Sequence, residues 1–153
     1  MQLSVYSDYA LRLLMQLALC PDRLVTIQEA ADSYGISKNH LMKVAHRLGV
    51  KDHIETVRGR NGGLRLARPP SRINVGGIIR DTEDNLALVE CFDSARNTCV
   101  ISPSCRLKHV LNDAMEAFFQ VLDEYTIADL TQNAAELTDL LQFSAMSPDR
   151  TSQ

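Results

Sequence analysis

The sequence predicts a mainly α-helical chain carrying one small β-hairpin, on three observations. From Thr26 to Leu48 two helical stretches flank a glycine turn at Gly35. From Ile54 to Leu66 two short apolar strands flank a tip rich in Arg and Gly. From Ser102 to Tyr125 apolar residues recur at helical spacing over roughly 30 Å, more than a small domain needs to cover itself. With 153 residues, 45% hydrophobic and 23% charged, the chain can bury a core as one domain, or as a small domain with an extension.

In the first helix Tyr9, Leu13, Leu14, Leu17 and Ala18 share a face, Ser7 is placed to cap it, and Asp8 falls in its first turn. Pro21 and Asp22 end it. Thr26-Ile-Gln-Glu29 has the capping-box pattern and opens a second helix over Ile27 to Ser33. Ser37 then caps a third, whose apolar face is Leu41, Val44, Ala45 and Leu48. This is the helix-turn-helix layout, in which the second helix enters the major groove of DNA. The exposed start of that helix is Ser37, Lys38, Asn39, His40 and Lys43; Asn suits adenine edges, and Lys suits guanine or phosphate. Read without the function, the same residues are the solvated basic face of an ordinary helical hairpin.

The next segment favours DNA. Strands over Ile54 to Val57 and Leu64 to Leu66 enclose Arg58-Gly-Arg-Asn-Gly-Gly63, with Arg58, Gly59 and Arg60 at the tip and Arg65 and Arg68 nearby. A hairpin after a helix-turn-helix is a wing, and its arginines can follow phosphates or enter a narrow minor groove. Pro69-Pro70 closes the wing, and Val75 to Glu83 reads as a short helix with Val75, Ile78 and Ile79 inward. Asp84 to Ser104 has no sustained period. Ser102-Pro103 then starts the long helix to Tyr125, with Leu107, Val110, Leu111, Ala114, Phe118, Val121 and Leu122 on one side. Either it is a core helix of the same domain or it pairs with a symmetry mate; a reader of a palindromic site needs two copies, which favours a homodimer. Thr126 caps a helix to about Asn133, Glu136 to Phe143 is helical, and Ser144 to Gln153 is expected to be disordered. The organisation expected is DNA-binding over 1–80, a cysteine loop over 81–104, dimerisation and C-terminal helices over 105–143, and the tail over 144–153.

Charge supports the same division. Residues 1–80 hold twelve Lys and Arg against six Asp and Glu, and residues 81–153 hold four against thirteen. A basic half beside an acidic half points to a polyanion at one end only. No apolar run is long enough to span a bilayer, so no membrane partner is expected. Ala10 to Cys20 lacks the basic start of a signal segment, so the protein is read as cytoplasmic, with its cysteines reduced. No nucleotide-binding glycine motif follows a strand and no catalytic triad stands out, so no enzyme is expected. His40, His46, His53 and His109 are read as belonging to the DNA-binding face or the surface.

Of the four cysteines, Cys20 sits in an apolar helix as a small hydrophobe. The others run Cys91-x7-Cys99-x5-Cys105 and cannot all pair as disulfides. Three thiolates suit zinc, cuprous copper or an iron–sulfur cluster, and leave one metal position to a weaker ligand or open. The plain alternative is three unrelated loop cysteines.

Ser7-Asp-Tyr-Ala-Leu-Arg12, Thr56-Val-Arg-Gly-Arg-Asn-Gly-Gly63 and the three-cysteine loop together resemble the dimeric winged-helix iron–sulfur repressors, the family that includes NsrR, IscR and RirA. The resemblance runs from Met1 to about Leu141. Ile101-Ser-Pro-Ser-Cys-Arg-Leu-Lys108 and Tyr125-Thr-Ile-Ala-Asp-Leu130 are similar to the nitric-oxide-sensing NsrR branch, while Thr82-Glu-Asp84 and Glu90-Cys-Phe92 are also similar to the iron-responsive RirA branch. The resemblance implies a repressor whose iron–sulfur cluster, 4Fe–4S or 2Fe–2S, is held by Cys91, Cys99 and Cys105. It implies Asp8 of a partner subunit as fourth ligand, ahead of His109 and then Glu90, with Arg12 holding Asp8 in place. Nitric oxide would be the signal that releases a palindromic double-stranded operator. An iron-responsive repressor and a metal-free, thiol-based regulator remain the alternatives. Two departures stand out: the x7 gap exceeds the family's usual spacing, and Gly49-Val-Lys-Asp-His53 differs from its common pattern before the wing, which would alter the wing angle.

Overall fold

The computed structural model describes residues 2–141. Helix α1, Val5–Leu19, runs through the centre of the core, burying Ala10, Leu13, Leu14 and Leu17. It begins one turn earlier than expected: Ser4 is the N-cap, and its hydroxyl accepts from the Ser7 amide. Ser7 is instead buried inside the first turn. The expected face otherwise stands, with Tyr9 and Ala18 half-buried at its margins.

Helix α2, Ile27–Tyr34, is capped by the Thr26 hydroxyl, which accepts from the Glu29 amide. The reciprocal half of the expected capping box is not made, because the Glu29 carboxylate is taken by Arg23. Gly35 ends α2 in the left-handed region at φ 63°, where a side chain would be strained. Helix α3 follows as Lys38–Val50, burying Leu41, Val44, Ala45 and Leu48. Ser37 occupies its N-cap but its side chain makes no capping bond.

Asp52, at φ 57°, turns the chain out of α3 into the hairpin. Strand β1, Ile54–Val57, pairs antiparallel with β2, Gly63–Leu66, with Ile54 opposite Leu66 and Val57 opposite Gly63. Leu64 also exchanges both backbone bonds with Val25, at 2.8 and 3.0 Å, which stitches the wing to the turn before α2. Helix α4, Val75–Thr82, returns to pack on α1 and buries Val75, Ile78 and Ile79 as expected.

The long helix is shorter than expected. Pro103 lies in a separate 3-10 turn, Ser102–Ser104, and α5 proper is Arg106–Asp123 with Cys105 as N-cap. None of its side chains is buried, and Leu107, Val110 and Val121 are each more than half exposed, so it is not a core helix of this chain. Arg80 holds it to α4 through a two-pronged pair with Asp123 at 2.6 and 2.8 Å. Its guanidinium also lies 4.2 Å from the centre of the Phe119 ring. Thr126 and Asp129 form a complete capping box on α6, Ile127–Leu130, which stops short of the expected Asn133. Helix α7 is Ala134–Leu140. The expected helical residue Phe143 and the tail over 144–153 lie outside the described residues.

Leu14 is fully buried where α1 crosses the core. Leu14→Ala is expected to cost about 2–5 kcal/mol of stability, read as a lower urea midpoint at unchanged slope.

Candidate nucleic-acid interface and cysteine loop

Lys38, Asn39, His40 and Lys43 are all exposed along the first turns of α3, as is Ser37 before it. Two contacts from α1 fix this helix. The Tyr6 hydroxyl donates to the Lys43 carbonyl at 2.7 Å, and the Arg47 guanidinium lies 5.7 Å from the Tyr6 ring centre. At the wing tip Arg58, Gly59 and Arg60 are exposed, with Gly59 at φ 114°. Gly62 is required by close approach, since an added Cβ would stand 2.2 Å from the Val57 carbonyl oxygen.

The four arginines near the hairpin are not equivalent. Arg65 is paired across the strands with Glu55 at 2.9 Å. Arg68 donates to the His53 ring at 2.9 Å. Arg58 and Arg60 make no ion pair with any described residue, so the free cationic charge is concentrated at the tip.

Cys91, Cys99 and Cys105 are free, half-buried thiols on an irregular segment. Cys91 lies in the turn Glu90–Phe92 and faces a cleft walled by Arg80, Phe92, Asp93, Lys108 and Asp123. Cys105 opens on a second pocket beside Val100, Ile101 and Pro103. The Thr98 hydroxyl donates to Glu90 at 3.1 Å, tying the Cys99 turn to the Cys91 turn and occupying the third-ranked ligand candidate. Among the described residues no three His, Cys, Asp or Glu side chains converge closely enough to hold a metal ion. The donor set fits an iron–sulfur cluster in kind, since three free thiols sit on a loop with little regular hydrogen bonding. Bringing all three to one metal centre would require this loop to rearrange.

Asp8 and Arg12 form an ion pair one helical turn apart at 2.8 Å, both near half exposure. His109 is exposed on the first turn of α5, after Cys105.

From sequence, residues 83 and 84 entered only as part of the Thr82-Glu-Asp84 resemblance, with no role assigned to them. One Glu83 carboxylate oxygen accepts from the Ser4 amide at 2.7 Å and the Ser7 hydroxyl at 2.6 Å. Ser7 also meets the Thr82 hydroxyl at 2.7 Å. Asp84 pairs with Arg47 of α3 at 2.8 Å. The start of the cysteine-bearing segment is therefore bonded both to the beginning of α1 and to the helix presented to DNA. A buried serine aligned with Ala10, Leu14 and Leu17 was the one sequence signal for this joint.

Burial would raise the Glu83 carboxyl, but the hydrogen bonds from Ser7 and Ser4 outweigh it and hold it below the usual glutamate range. A depressed folded-state value gives stability that is present above the unfolded value and lost as pH falls through the folded one. Glu83→Gln is expected to flatten the acid limb of the stability curve, measured by thermal melts from neutral pH downward.

Residues 3–133 match the family model Rrf2, described as an iron-dependent transcriptional regulator. The chain belongs to the Rrf2 family. Among similar Rrf2 proteins, the HTH-type transcriptional regulator NsrR of Shouchella clausii is 54% identical over 144 residues, covering 94% of this chain and 97% of that one. The regulator of the same name from Bacillus subtilis is 52% identical over 143 residues, covering 93% and 98%. Of solved structures, T. potens IscR superposes with a TM-score of 0.72 at 27% identity, covering 89% of this chain and 90% of that one. The oxidized form of CymR from Staphylococcus aureus gives 0.71 at 25% identity, covering 86% and 97%. This Rrf2 chain is accordingly a winged-helix transcriptional regulator and not an enzyme, and the winged-helix fold carries DNA binding with it. No helix among its described residues is long and apolar enough to cross a membrane.

Proposed function

We propose that the protein is a cytoplasmic, dimeric repressor that holds an iron–sulfur cluster at Cys91, Cys99 and Cys105 and releases a palindromic operator in response to nitric oxide. The observation that carries this reading is the placement of three free thiols on one irregular segment, whose first residues are bonded to both α1 and α3. The roughly 50% identity to regulators named NsrR supports nitric oxide as the signal.

When bound, the cluster supplies thiolate-held iron with one weakly ligated position, open to a small diatomic molecule. The chain's own residues do the rest. The cysteines close the loop, and Asp8 of a second copy completes the donor set, oriented by Arg12. Glu83 and Asp84 pass the order of that loop to Ser4, Ser7 and Arg47. The exposed apolar face of α5, about 27 Å long, pairs with its copy and sets the separation of the two recognition helices. Lys38, Asn39, His40 and Lys43 then meet the major groove, with Ser37 at its edge, while Arg58, Gly59 and Arg60 reach the flanking backbone.

The family description as iron-dependent supports a second reading, in which iron depletion is the releasing signal. Operator binding by anaerobically prepared dimer, challenged separately with nitric oxide and with an iron chelator, separates the two. Release by nitric oxide in step with loss of the cluster, with resistance to chelator, supports the proposal; release by chelator alone supports the iron reading. Operator binding that neither agent disturbs, in protein that never held iron, supports a thiol-based regulator.

A further inference from the structure

His53 stands where three parts of the DNA-reading unit meet. It lies just after α3, at the foot of the wing, and is only 7% exposed. Its backbone amide donates to the Leu48 carbonyl of α3 at 2.9 Å, and its own carbonyl accepts from the Ala67 amide just past β2 at 3.0 Å. Both ring nitrogens are used: Nε2 meets Asp81 of α4 at 2.8 Å, and Nδ1 meets the Arg68 guanidinium at 2.9 Å.

Arginine has donors and no acceptor, so Nδ1 must accept, and the ring proton sits on Nε2, aimed at the Asp81 carboxylate. The neutral ring thus satisfies every polar atom it has. The charged groups facing it are Asp81 from α4, Arg68 from the end of the wing, and Lys51 from the end of α3, which also pairs with Asp81 at 3.2 Å. Protonating Nδ1 would set an N–H against the Arg68 N–H groups and a cation beside a cation, while leaving the Asp81 contact intact. The bond lost first is the one to the wing.

We propose that His53 is the positioning residue that fixes the wing relative to the recognition helix, clamping Arg68 on one ring nitrogen and Asp81 on the other. Through it Arg58 and Arg60 meet DNA at a set angle to Lys38 and Asn39. The clamp rests on the winged-helix DNA-binding reading and is independent of any metal. Asp81 is suited to its part: burial would raise its carboxyl, but bonds from His53 and Lys51 hold it below the usual aspartate range, keeping it an acceptor.

The test uses the whole chain and a duplex that the wild-type protein enriches from a random-sequence pool, with binding measured at pH 8. His53→Gln, whose single amide group can reach Asp81 or Arg68 but not both, is expected to bind that duplex roughly tenfold more weakly at pH 8. Arg60→Ala should weaken the wild type and leave His53→Gln nearly unchanged, because an unanchored wing has already lost that contact. Nitrogen-15 NMR of wild-type histidines at pH 8 should show His53 protonated at Nε2 alone, which tests the clamp without any variant.

Equal affinity for wild type and His53→Gln, additive loss with Arg60→Ala, or a proton on Nδ1 at pH 8 would each overturn the clamp. A wild-type protein that enriches no duplex would overturn the DNA-binding reading itself.

Discussion

Replacing Cys91, Cys99 or Cys105 singly with Ala is expected to abolish nitric-oxide-sensitive operator binding and to leave each variant at the affinity of the nitric-oxide-treated wild type. The three side chains are free, half-buried and confined to one irregular segment, so on the proposed reading each replacement removes one cluster ligand. On the proposed reading the link runs through Glu83, bonded to Ser7 of α1, and Asp84, paired with Arg47 of α3. A coupling of about 2–3 kcal/mol across that link corresponds to a tens- to hundredfold change in DNA affinity. Cys20→Ala should keep the full response. Cys20 packs against the core at the C-cap of α1, and burial pushes its thiol up, keeping it neutral and a poor ligand. Anisotropy titrations of all four variants, with and without nitric oxide, check the expectation. Retention of the response by the three loop variants would contradict it.

The second large effect concerns how DNA is read. Asn39 is exposed in the first turn of α3 with no side-chain partner among the described residues, and Asn39→Ala is expected to cost about 1–3 kcal/mol on the preferred duplex while relaxing discrimination at one base pair. Arg60→Ala and Lys43→Ala should weaken preferred and random duplexes alike and lower the salt dependence of binding by about one counterion each. Affinity measured against salt, on both duplexes, distinguishes the two kinds of residue. A salt slope unchanged by Arg60→Ala would place the wing tip off the phosphates.

The elements that build the reading head were legible because their signals are local. The apolar spacing of Leu41, Val44, Ala45 and Leu48, the left-handed turn at Gly35 and the glycine-rich hairpin tip each follow from a few neighbouring residues. The capping of α1 was misplaced because Ser4 and Ser7 are both serines near a helix start. What separates them is Ser7's bonding to Thr82 and Glu83, more than seventy residues away. The early start expected for α5 failed for a similar reason: Ser102-Pro103 does begin a helical turn, but it is a 3-10 turn that ends at Cys105.

Charge alone was a blunter guide. Four arginines near the hairpin looked equivalent, yet Arg65 is paired with Glu55 and Arg68 is bound to His53. His53 was read as belonging to the DNA-binding face or the surface, and the structure buries it because Asp81 returns on α4 to meet it. No local pattern announces a partner twenty-eight positions along the chain. The cysteine loop was visible as residues but not as geometry, since a segment without period carries no positional signal.

Native mass spectrometry of protein purified without oxygen, before and after graded nitric oxide, decides whether a cluster is the sensor. A dimer is expected that carries an iron–sulfur mass giving way stepwise to nitrosyl adducts, with that mass lost when Cys91, Cys99 or Cys105 is replaced. A dimer that carries only zinc or no metal, from a preparation competent to assemble clusters, would contradict it.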